Sequence, residues 1–117
     1  MVNTKVTLSG WELENPVIPA SGTFGYGKEF SRLYDINRLG TFSFKGTTVE
    51  PRFGNPTPRI AESDTGIVNS IGLQNPGLAH VLAHELPEMK EFFRKKVIAN
   101  VSGFSVEEYK TLCEALG

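Results

Sequence analysis

The segment Thr41-Phe42-Ser43-Phe44-Lys45 carries the clearest fold signal in the chain, because its side chains alternate between polar and apolar types. A period of two places Phe42 and Phe44 on one face of an extended chain and Ser43 and Lys45 on the other. We therefore predict a β-strand that is buried on its phenylalanine face and ends at Lys45.

Two shorter apolar runs are also predicted as strands. Val17-Ile18-Pro19-Ala20 ends at Ser21, and Val97-Ile98-Ala99 ends at Asn100. Helical patterns alternate with the three strands. They comprise the spacing of Phe30, Leu33 and Tyr34, a helix face of Leu78, Val81 and Leu82, and a following helix that starts near Pro87. A last helix begins at the Ser105–Glu108 capping box, carries Tyr109, Leu112, Cys113 and Leu116 on one face, and is expected to place Cys113 in the core. This alternation predicts an α/β fold built from parallel βα units.

The other segments are predicted as turns and hairpins. A small hairpin over residues 5–13 opens the chain, and a second over residues 60–69 lies inside a long loop, residues 46–77. Nine of the 32 residues in that loop are Gly or Pro, and a loop of this length in a compact domain is usually functional.

The composition excludes several classes of function. The 117 residues suffice for one small domain or part of a larger one, and 39% apolar with 21% charged residues is typical of a folded, soluble chain. Twelve basic against thirteen acidic residues leave no excess positive charge for binding nucleic acid. Since neither a secretory signal nor an apolar run of about 18 residues occurs, we expect a cytoplasmic protein without a membrane anchor.

The cysteine and histidine content predicts no metal site. Cys113 is the only cysteine, so it forms no intramolecular disulfide and no thiolate cluster. His80 and His84 have the four-residue spacing of metal ligands but lack a third ligand nearby. We interpret both as surface histidines.

Ser21, Lys45 and Asn100 share one position, since each follows the carboxyl end of a predicted parallel strand. Ligands of α/β folds bind at that edge, where the strand-to-helix loops gather. Two interpretations of Lys45 stay open: its ammonium binds an anionic ligand, or its stem runs along the surface to solvent. The segment Asn69-Ser70-Ile71-Gly72-Leu73-Gln74-Asn75 either surrounds a small planar ligand with amides and N–H groups or forms a turn-rich surface loop.

Several motifs together resemble the amino-terminal part of the dihydroorotate dehydrogenases, the FMN enzymes of pyrimidine biosynthesis. They follow one another in the family's order over essentially the whole chain: Asn15-Pro16-Val17-Ile18-Pro19-Ala20-Ser21-Gly22-Thr23-Phe24-Gly25, Lys45-Gly46-Thr47-Thr48, Arg52-Phe53-Gly54-Asn55-Pro56-Thr57-Pro58-Arg59, Asn69-Ser70-Ile71-Gly72-Leu73-Gln74-Asn75-Pro76-Gly77 and Ile98-Ala99-Asn100-Val101-Ser102-Gly103. The third motif and the end of the fourth are similar to the soluble class I enzymes of the NAD-coupled subtype.

The resemblance implies a (β/α)₈ TIM barrel, of which residues 1–117 form a single partial domain with the initial hairpin and about three βα units. It places FMN at the carboxyl mouth of the barrel. The FMN contacts that it implies are Ala20, Ser21, Lys45, Gly46 and Asn100. The implied substrate contacts are Lys45, Asn69, Ser70, Ile71, Gly72 and Leu73.

The implied activity is the FMN-dependent oxidation of dihydroorotate to orotate, in which a base removes a C5 proton while hydride leaves C6. Electrons then pass to NAD through a partner subunit that carries FAD and an iron–sulfur cluster, around a homodimeric core. The base in this class is a cysteine after the third strand, and Cys113 does not match it. We therefore expect the base and the FMN-phosphate loops to lie beyond Gly117.

Three functional hypotheses follow from this comparison of motifs. The first is a part of a dihydroorotate dehydrogenase that is inactive and marginally folded by itself. The second is a non-catalytic half-barrel that binds flavin and orotate or assembles with its missing half. The third keeps the flavin barrel with another dihydropyrimidine as substrate, and the segment 69–73 argues against it.

Overall fold

Three extended segments, residues 17–20, 41–47 and 97–101, lie side by side in a computed structural model that describes residues 2–117. The middle segment is buried, whereas Val17 and Ile18 of the first are exposed. The middle segment pairs with both others. On one side the Ser43 N–H donates to the Pro19 carbonyl at 3.3 Å. On the other side parallel bridges join it to the third segment. The predicted parallel pairing is confirmed for the second and third segments, and the first joins the second through hydrogen bonds without a bridge.

The pairing differs from prediction in its extent and regularity. The third segment meets the second through isolated bridges, Ser43 with Ile98 and Thr47 with Val101, and not through a continuous ladder. The bridge at Thr47 continues the pairing beyond Lys45, where the strand was predicted to end. Pro19 in the first segment has no N–H to donate, which limits pairing on that side.

Both predicted hairpins are present as antiparallel pairs. Strands β1 (Val6–Leu8) and β2 (Trp11–Leu13) are joined by Ser9-Gly10, whose positive φ angles of 48° and 80° suit a tight two-residue turn. Strands β3 (Ile60–Ser63) and β4 (Gly66–Asn69) form the second hairpin, and all eight of their residues are exposed.

The helices are mostly short. Their bounds are α1 (Ser21–Phe24), α2 (Lys28–Ser31), a 3₁₀ turn (Ile36–Arg38), α3 (Leu78–His80), a π-helical segment (Val81–Glu85), α4 (Leu86–Phe92) and α5 (Val106–Leu116). None of the helices described between residues 2 and 117 is long and apolar enough to cross a bilayer.

The predicted helical face of Phe30, Leu33 and Tyr34 is wrong beyond its first residue. Helix α2 ends at Ser31, and Leu33 is 78% exposed. The chain turns at Asp35, whose carboxylate accepts the Asn37 N–H at 3.0 Å and caps the 3₁₀ turn. That local cap competes with continuation of the helix.

The two helices predicted around Pro87 form one continuous helical stretch. Pro87 does lie in the first turn of α4, but α4 follows the π-helical segment without a break. There the Leu86 N–H donates to the Val81 carbonyl, five residues back. A proline has no N–H and crowds the carbonyl four residues before it, and a widened π turn accommodates both effects.

The phenylalanine face of the middle segment forms the core, as predicted. Phe42 and Phe44 are almost fully buried. Phe42 packs between Phe24 and Phe93, with 4.9 Å between ring centroids in each pair. The remaining buried residues of this cluster are Ile36, Leu39, Val81 and Met89. The opposite face of the segment is thereby left for Ser43 and Lys45.

Helix α5 begins at the predicted cap. The Ser105 Oγ accepts the Glu108 N–H at 3.2 Å, and the Glu108 carboxylate accepts the Phe104 N–H at 2.6 Å. Leu112 is fully buried, but Cys113 is exposed, so the prediction of a core cysteine is wrong. Successive residues of a helix differ by about 100° in direction, so Leu112 and Leu116 face the core while Tyr109 and Cys113 are exposed.

Replacing Ser105 with alanine is expected to lower the free energy of unfolding by about 1 kcal/mol, because the Glu108 N–H loses its acceptor. Urea unfolding followed by circular dichroism measures this change. The control is Thr111→Ala on the same helix, where the hydroxyl bonds only to the Glu107 carbonyl and alanine is the better helix former. Equal losses in the two variants would show that the cap contributes nothing specific.

Candidate functional site

A cleft of about 470 Å³ lies at the carboxyl ends of the three parallel segments. It contains all of the site residues predicted from the sequence except Ala20 and Ser70. Its lining consists of Ser21, Gly22, Thr23, Lys45, Gly46, Asn69, Ile71, Gly72, Leu73, Asn100 and Ser102. The predicted convergence of the strand ends with the segment 69–73 is therefore present in the fold.

Ala20 and Ser70 lie outside the lining of this cleft. Ala20 is the N-cap of α1, and its carbonyl accepts the Phe24 N–H at 3.0 Å. Ser70 faces the long loop, where its N–H donates to the Arg59 carbonyl and its Oγ accepts from the Asn55 amide. Both residues thus support neighbouring backbone.

Gly22, Thr23 and Ser102 also line the cleft, although they are not among the predicted site residues. Gly22 and Thr23 belong to α1, which starts directly after the first segment. Ser102 follows the third segment, and its N–H donates to the Thr47 carbonyl at 2.9 Å. A signal for them existed, since all three lie in the motifs that follow strand ends.

A hydrogen bond across the cleft joins the first and third segments. The Asn100 Nδ2 donates to the Ser21 Oγ at 2.6 Å. The Asn100 carbonyl accepts the Thr47 N–H at 2.9 Å, which fixes the backbone of Asn100 against the middle segment. Two of the three predicted strand-end residues therefore form one polar group beside Lys45.

Lys45 projects from the middle segment between two cavities. It is half-buried, and its backbone N–H donates to the Gly25 carbonyl at 3.0 Å. Its ammonium makes no ion pair and no hydrogen bond with the residues that the structure describes. A half-buried cation without a protein partner is suited to an anionic ligand.

The second cavity, of about 400 Å³, lies on the other side of Lys45 and includes Tyr26, Arg52 and Glu85. The Tyr26 hydroxyl is buried and has no hydrogen-bond partner among residues 2–117. Burial raises the pKa of Tyr26 above the ordinary tyrosine value; the nearby Thr47 side chain opposes the rise, and the Glu85 carboxylate adds to it. The hydroxyl is therefore protonated at neutral pH.

The segment 69–73 forms the wall of the cleft opposite the strand ends. Gly72 has a φ angle of +78°, and a Cβ on it would lie 2.8 Å from the Asn55 backbone nitrogen, so only glycine fits. The Asn55 N–H donates to the Ile71 carbonyl at 2.9 Å. The ordered loop around Asn55 thus holds the wall from behind.

Histidines and acidic residues form no candidate metal centre within residues 2–117. His80 and His84 are both exposed, with ring centroids 4.6 Å apart. The His80 Nε2 lies 3.4 Å from the Glu85 carboxylate. Their position on the helical stretch outside the cleft agrees with their interpretation as surface histidines.

Parallel extended segments with helices packed against them, and a cleft at their carboxyl ends, are typical of part of an α/β barrel. The chain matches a solved DHODH of Eimeria tenella, determined in complex with ferulenol, with a TM-score of 0.70 and 21% identity. The match covers 98% of this chain and 34% of that protein. The predicted TIM-barrel fold class is confirmed.

The chain belongs to the dihydroorotate dehydrogenase family, whose family model matches residues 3–117. It is 53% identical over 112 residues to the dihydroorotate dehydrogenase B (NAD(+)) catalytic subunit of Listeria welshimeri, and 53% identical over 113 residues to that of Streptococcus pneumoniae. Each match covers 96% of this chain and 36% of the relative. The resemblance drawn from the motifs is confirmed, and the chain spans about a third of these relatives' length.

Proposed function

We propose that this chain forms the flavin- and substrate-binding part of an FMN-dependent dihydroorotate dehydrogenase, which oxidises dihydroorotate to orotate in pyrimidine biosynthesis. The observation that carries the proposal is the unpaired Lys45 ammonium at a cleft between the Ser21–Asn100 hydrogen bond and the segment 69–73. A single fixed cation among neutral donors and acceptors suits a small, planar, singly charged ligand.

The residues present fit the ring system of FMN. A Cβ on Gly46 would lie 3.2 Å from a Leu73 methyl group and 3.7 Å from the Asn100 Oδ1, so the glycine leaves a narrow space between them. We assign Ser21, Lys45, Gly46 and Asn100 to hold the flavin, whereas Ala20 lies outside the cleft. FMN, when bound, supplies the two-electron acceptor for the substrate.

The substrate is assigned to the wall formed by residues 69–73 and to Lys45. The Lys45 ammonium binds the carboxylate of dihydroorotate, and the Asn69 amide with the backbone groups around Gly72 binds the amides of its ring. A cleft of about 470 Å³ lies in the usual range for small-ligand sites. The fixed positive charge also stabilises negative charge that develops beside it during oxidation.

The catalytic base and the electron acceptor are assigned outside this chain. Cys113 lies on exposed α5 and does not line the cleft. The relatives are named catalytic subunits, and we propose that a separate partner subunit with FAD and an iron–sulfur cluster carries electrons to NAD. The assembly we propose is cytoplasmic, with a homodimeric catalytic core.

A second candidate is a non-catalytic module that binds flavin and orotate or assembles with the rest of the barrel. The observation that favours it is the absence of a cysteine from the cleft lining among residues 2–117. Supplying the remaining two thirds of a relative's barrel in trans separates the two candidates. Restored FMN-dependent oxidation of dihydroorotate supports the enzyme, and its absence supports the module.

The proposal is tested by the visible absorbance of the purified chain with added FMN, before and after orotate. We expect bound flavin and a spectral shift on orotate addition, because both ligands share the cleft at Lys45. Uracil, which has the ring of orotate but not the carboxylate, is the matched ligand control and is expected to give no shift. A chain that takes up no FMN, or an equal response to both compounds, would contradict the proposal.

A further inference from the structure

Asn75 joins the two walls of the cleft from beneath. Its side chain is almost fully buried, at 5% exposure. The Oδ1 atom accepts the Thr48 N–H at 3.1 Å and the Gly77 N–H at 3.0 Å. Two backbone donors at one end of the amide fix its orientation, so Nδ2 points the other way, toward the Leu73 carbonyl at 2.9 Å.

Thr48, one partner of Asn75, lies at the end of the middle segment, which carries Lys45. Thr48 is buried and follows Lys45 by three residues, directly after the bridge at Thr47. The Asn75 Nδ2 also donates to the Thr48 Oγ1 at 2.9 Å, and that hydroxyl in turn donates to the Glu50 carbonyl at 2.5 Å. Asn75 is therefore anchored to the end of the middle segment through backbone and side chain.

The Leu73 side is held in an unfavourable conformation. Leu73 has a φ angle of +57°, a region that costs a residue with a side chain about 1 kcal/mol or more. Such a conformation persists only where surrounding contacts fix it. The bond from Asn75 to the Leu73 carbonyl is such a contact, and it sets the Leu73 side chain against Gly46.

We propose that Asn75 is a positioning residue that sets the substrate wall at its distance from Lys45. Asn75 lines the second cavity beside Lys45 but not the 470 Å³ cleft, so it acts on a ligand in that cleft through Leu73. The inference rests on the proposed function for its ligand, orotate. It predicts that loss of the Nδ2 donor weakens orotate binding more than FMN binding, because the flavin is assigned mainly to the strand ends.

The test is Asn75→Asp in the full 117-residue chain. The carboxylate keeps acceptors for the Thr48 and Gly77 N–H groups but places an oxygen against the Leu73 carbonyl. We expect the dissociation constant for orotate to rise about tenfold or more, as for a buried carbonyl that loses its partner, and that for FMN to change by less than about threefold. Titration of flavin absorbance measures both constants.

The matched control is Asn37→Asp. Asn37 makes a similar connection away from the cleft, since its Oδ1 accepts the Arg94 N–H at 2.9 Å and its Nδ2 donates to the Phe92 carbonyl at 3.0 Å. Its Nδ2 also donates to the Asp35 carboxylate at 2.9 Å, so the substitution adds a like-charge contact there. This variant is expected to lower stability without changing the ratio of orotate to FMN affinity. Equal effects of the two substitutions on that ratio would overturn the assignment.

Amide hydrogen exchange is measured without any ligand, so its outcome does not depend on the proposed function. The Asn55 N–H donates to the Ile71 carbonyl in the wall, and in Asn75→Asp it is expected to exchange about tenfold faster. In Asn37→Asp its exchange rate, corrected for the change in global stability, is expected to stay unchanged. An unchanged rate in Asn75→Asp overturns the positioning role whether or not FMN binds. Should Asn75→Asp not fold, Thr48→Val removes one anchor of Asn75 and is expected to speed the same exchange.

If the wild-type chain shows no response to orotate, the proposed function fails, and the exchange result alone decides whether Asn75 positions the wall. If wild type responds and both affinities fall equally in Asn75→Asp, the substrate-specific role is overturned while the proposed function stands.

Discussion

Replacing Lys45 with methionine is expected to abolish the spectral response of the FMN-loaded chain to orotate. Methionine keeps the length and apolar stem of the side chain but removes the one cation that lines the cleft and has no acidic partner in residues 2–117. Leaving the orotate carboxylate partly buried without its partner costs about 2–5 kcal/mol. The affinity for orotate should therefore fall about 30-fold or more, as measured by titration of the flavin absorbance.

Lys95→Met is the matched control for this prediction. Lys95 is also partly buried, but its ammonium pairs with the Glu14 carboxylate at 2.6 Å and donates to the Leu39 carbonyl at 2.8 Å. Its loss is expected to reduce stability and to leave orotate affinity unchanged. Retention of the orotate response in Lys45→Met would instead favour the other interpretation, in which the Lys45 stem only covers surface on its way to solvent.

Local sequence patterns predicted the core strand, the first turn and the last helix cap, because each of them depends on residues that are neighbours in sequence. The alternation at Phe42–Lys45 assigns one face to the core, and no other arrangement buries both phenylalanines. The turn at Ser9-Gly10 and the cap at Ser105 likewise depend on neighbours in sequence. Since the ends of parallel strands meet at one edge, the approximate location of the cleft followed from the same reasoning.

The errors arose mainly where contacts distant in sequence decide the outcome, although the local cap at Asp35 also ends the helix before Leu33. Leu33 and Cys113 have helical spacing from apolar neighbours, yet both are exposed, because the core is filled by other side chains. The role of Asn75 could not be predicted from the Asn-Pro-Gly sequence either, since only the fold brings the N–H and hydroxyl of Thr48 next to its side chain. Periodicity reports which residues share a face and not what covers that face.

Replacing Phe42 with alanine is expected to cost about 3–5 kcal/mol of unfolding free energy, the usual loss for a large aromatic side chain in a packed core. Phe42 is fully buried and packs against rings on both sides, Phe24 and Phe93, so neither neighbour can close the cavity without losing its own contacts. Domains have only about 5–15 kcal/mol of stability in total, and this change should remove most of the cooperative transition in urea.

Phe53→Ala is the matched control, because Phe53 is 90% exposed and its truncation should change stability by less than about 0.5 kcal/mol. Comparable losses in the two variants would contradict the assigned core.

Phe42 and Lys45 lie on opposite faces of one segment, so their substitutions should separate folding from binding. Phe42→Ala lowers the unfolding midpoint, but the fraction that stays folded retains its affinity for orotate, whereas Lys45→Met keeps the midpoint and loses the affinity. If each variant lowers both the unfolding midpoint and the orotate affinity, the two faces are not independent, and the cleft forms only when the core is fully packed.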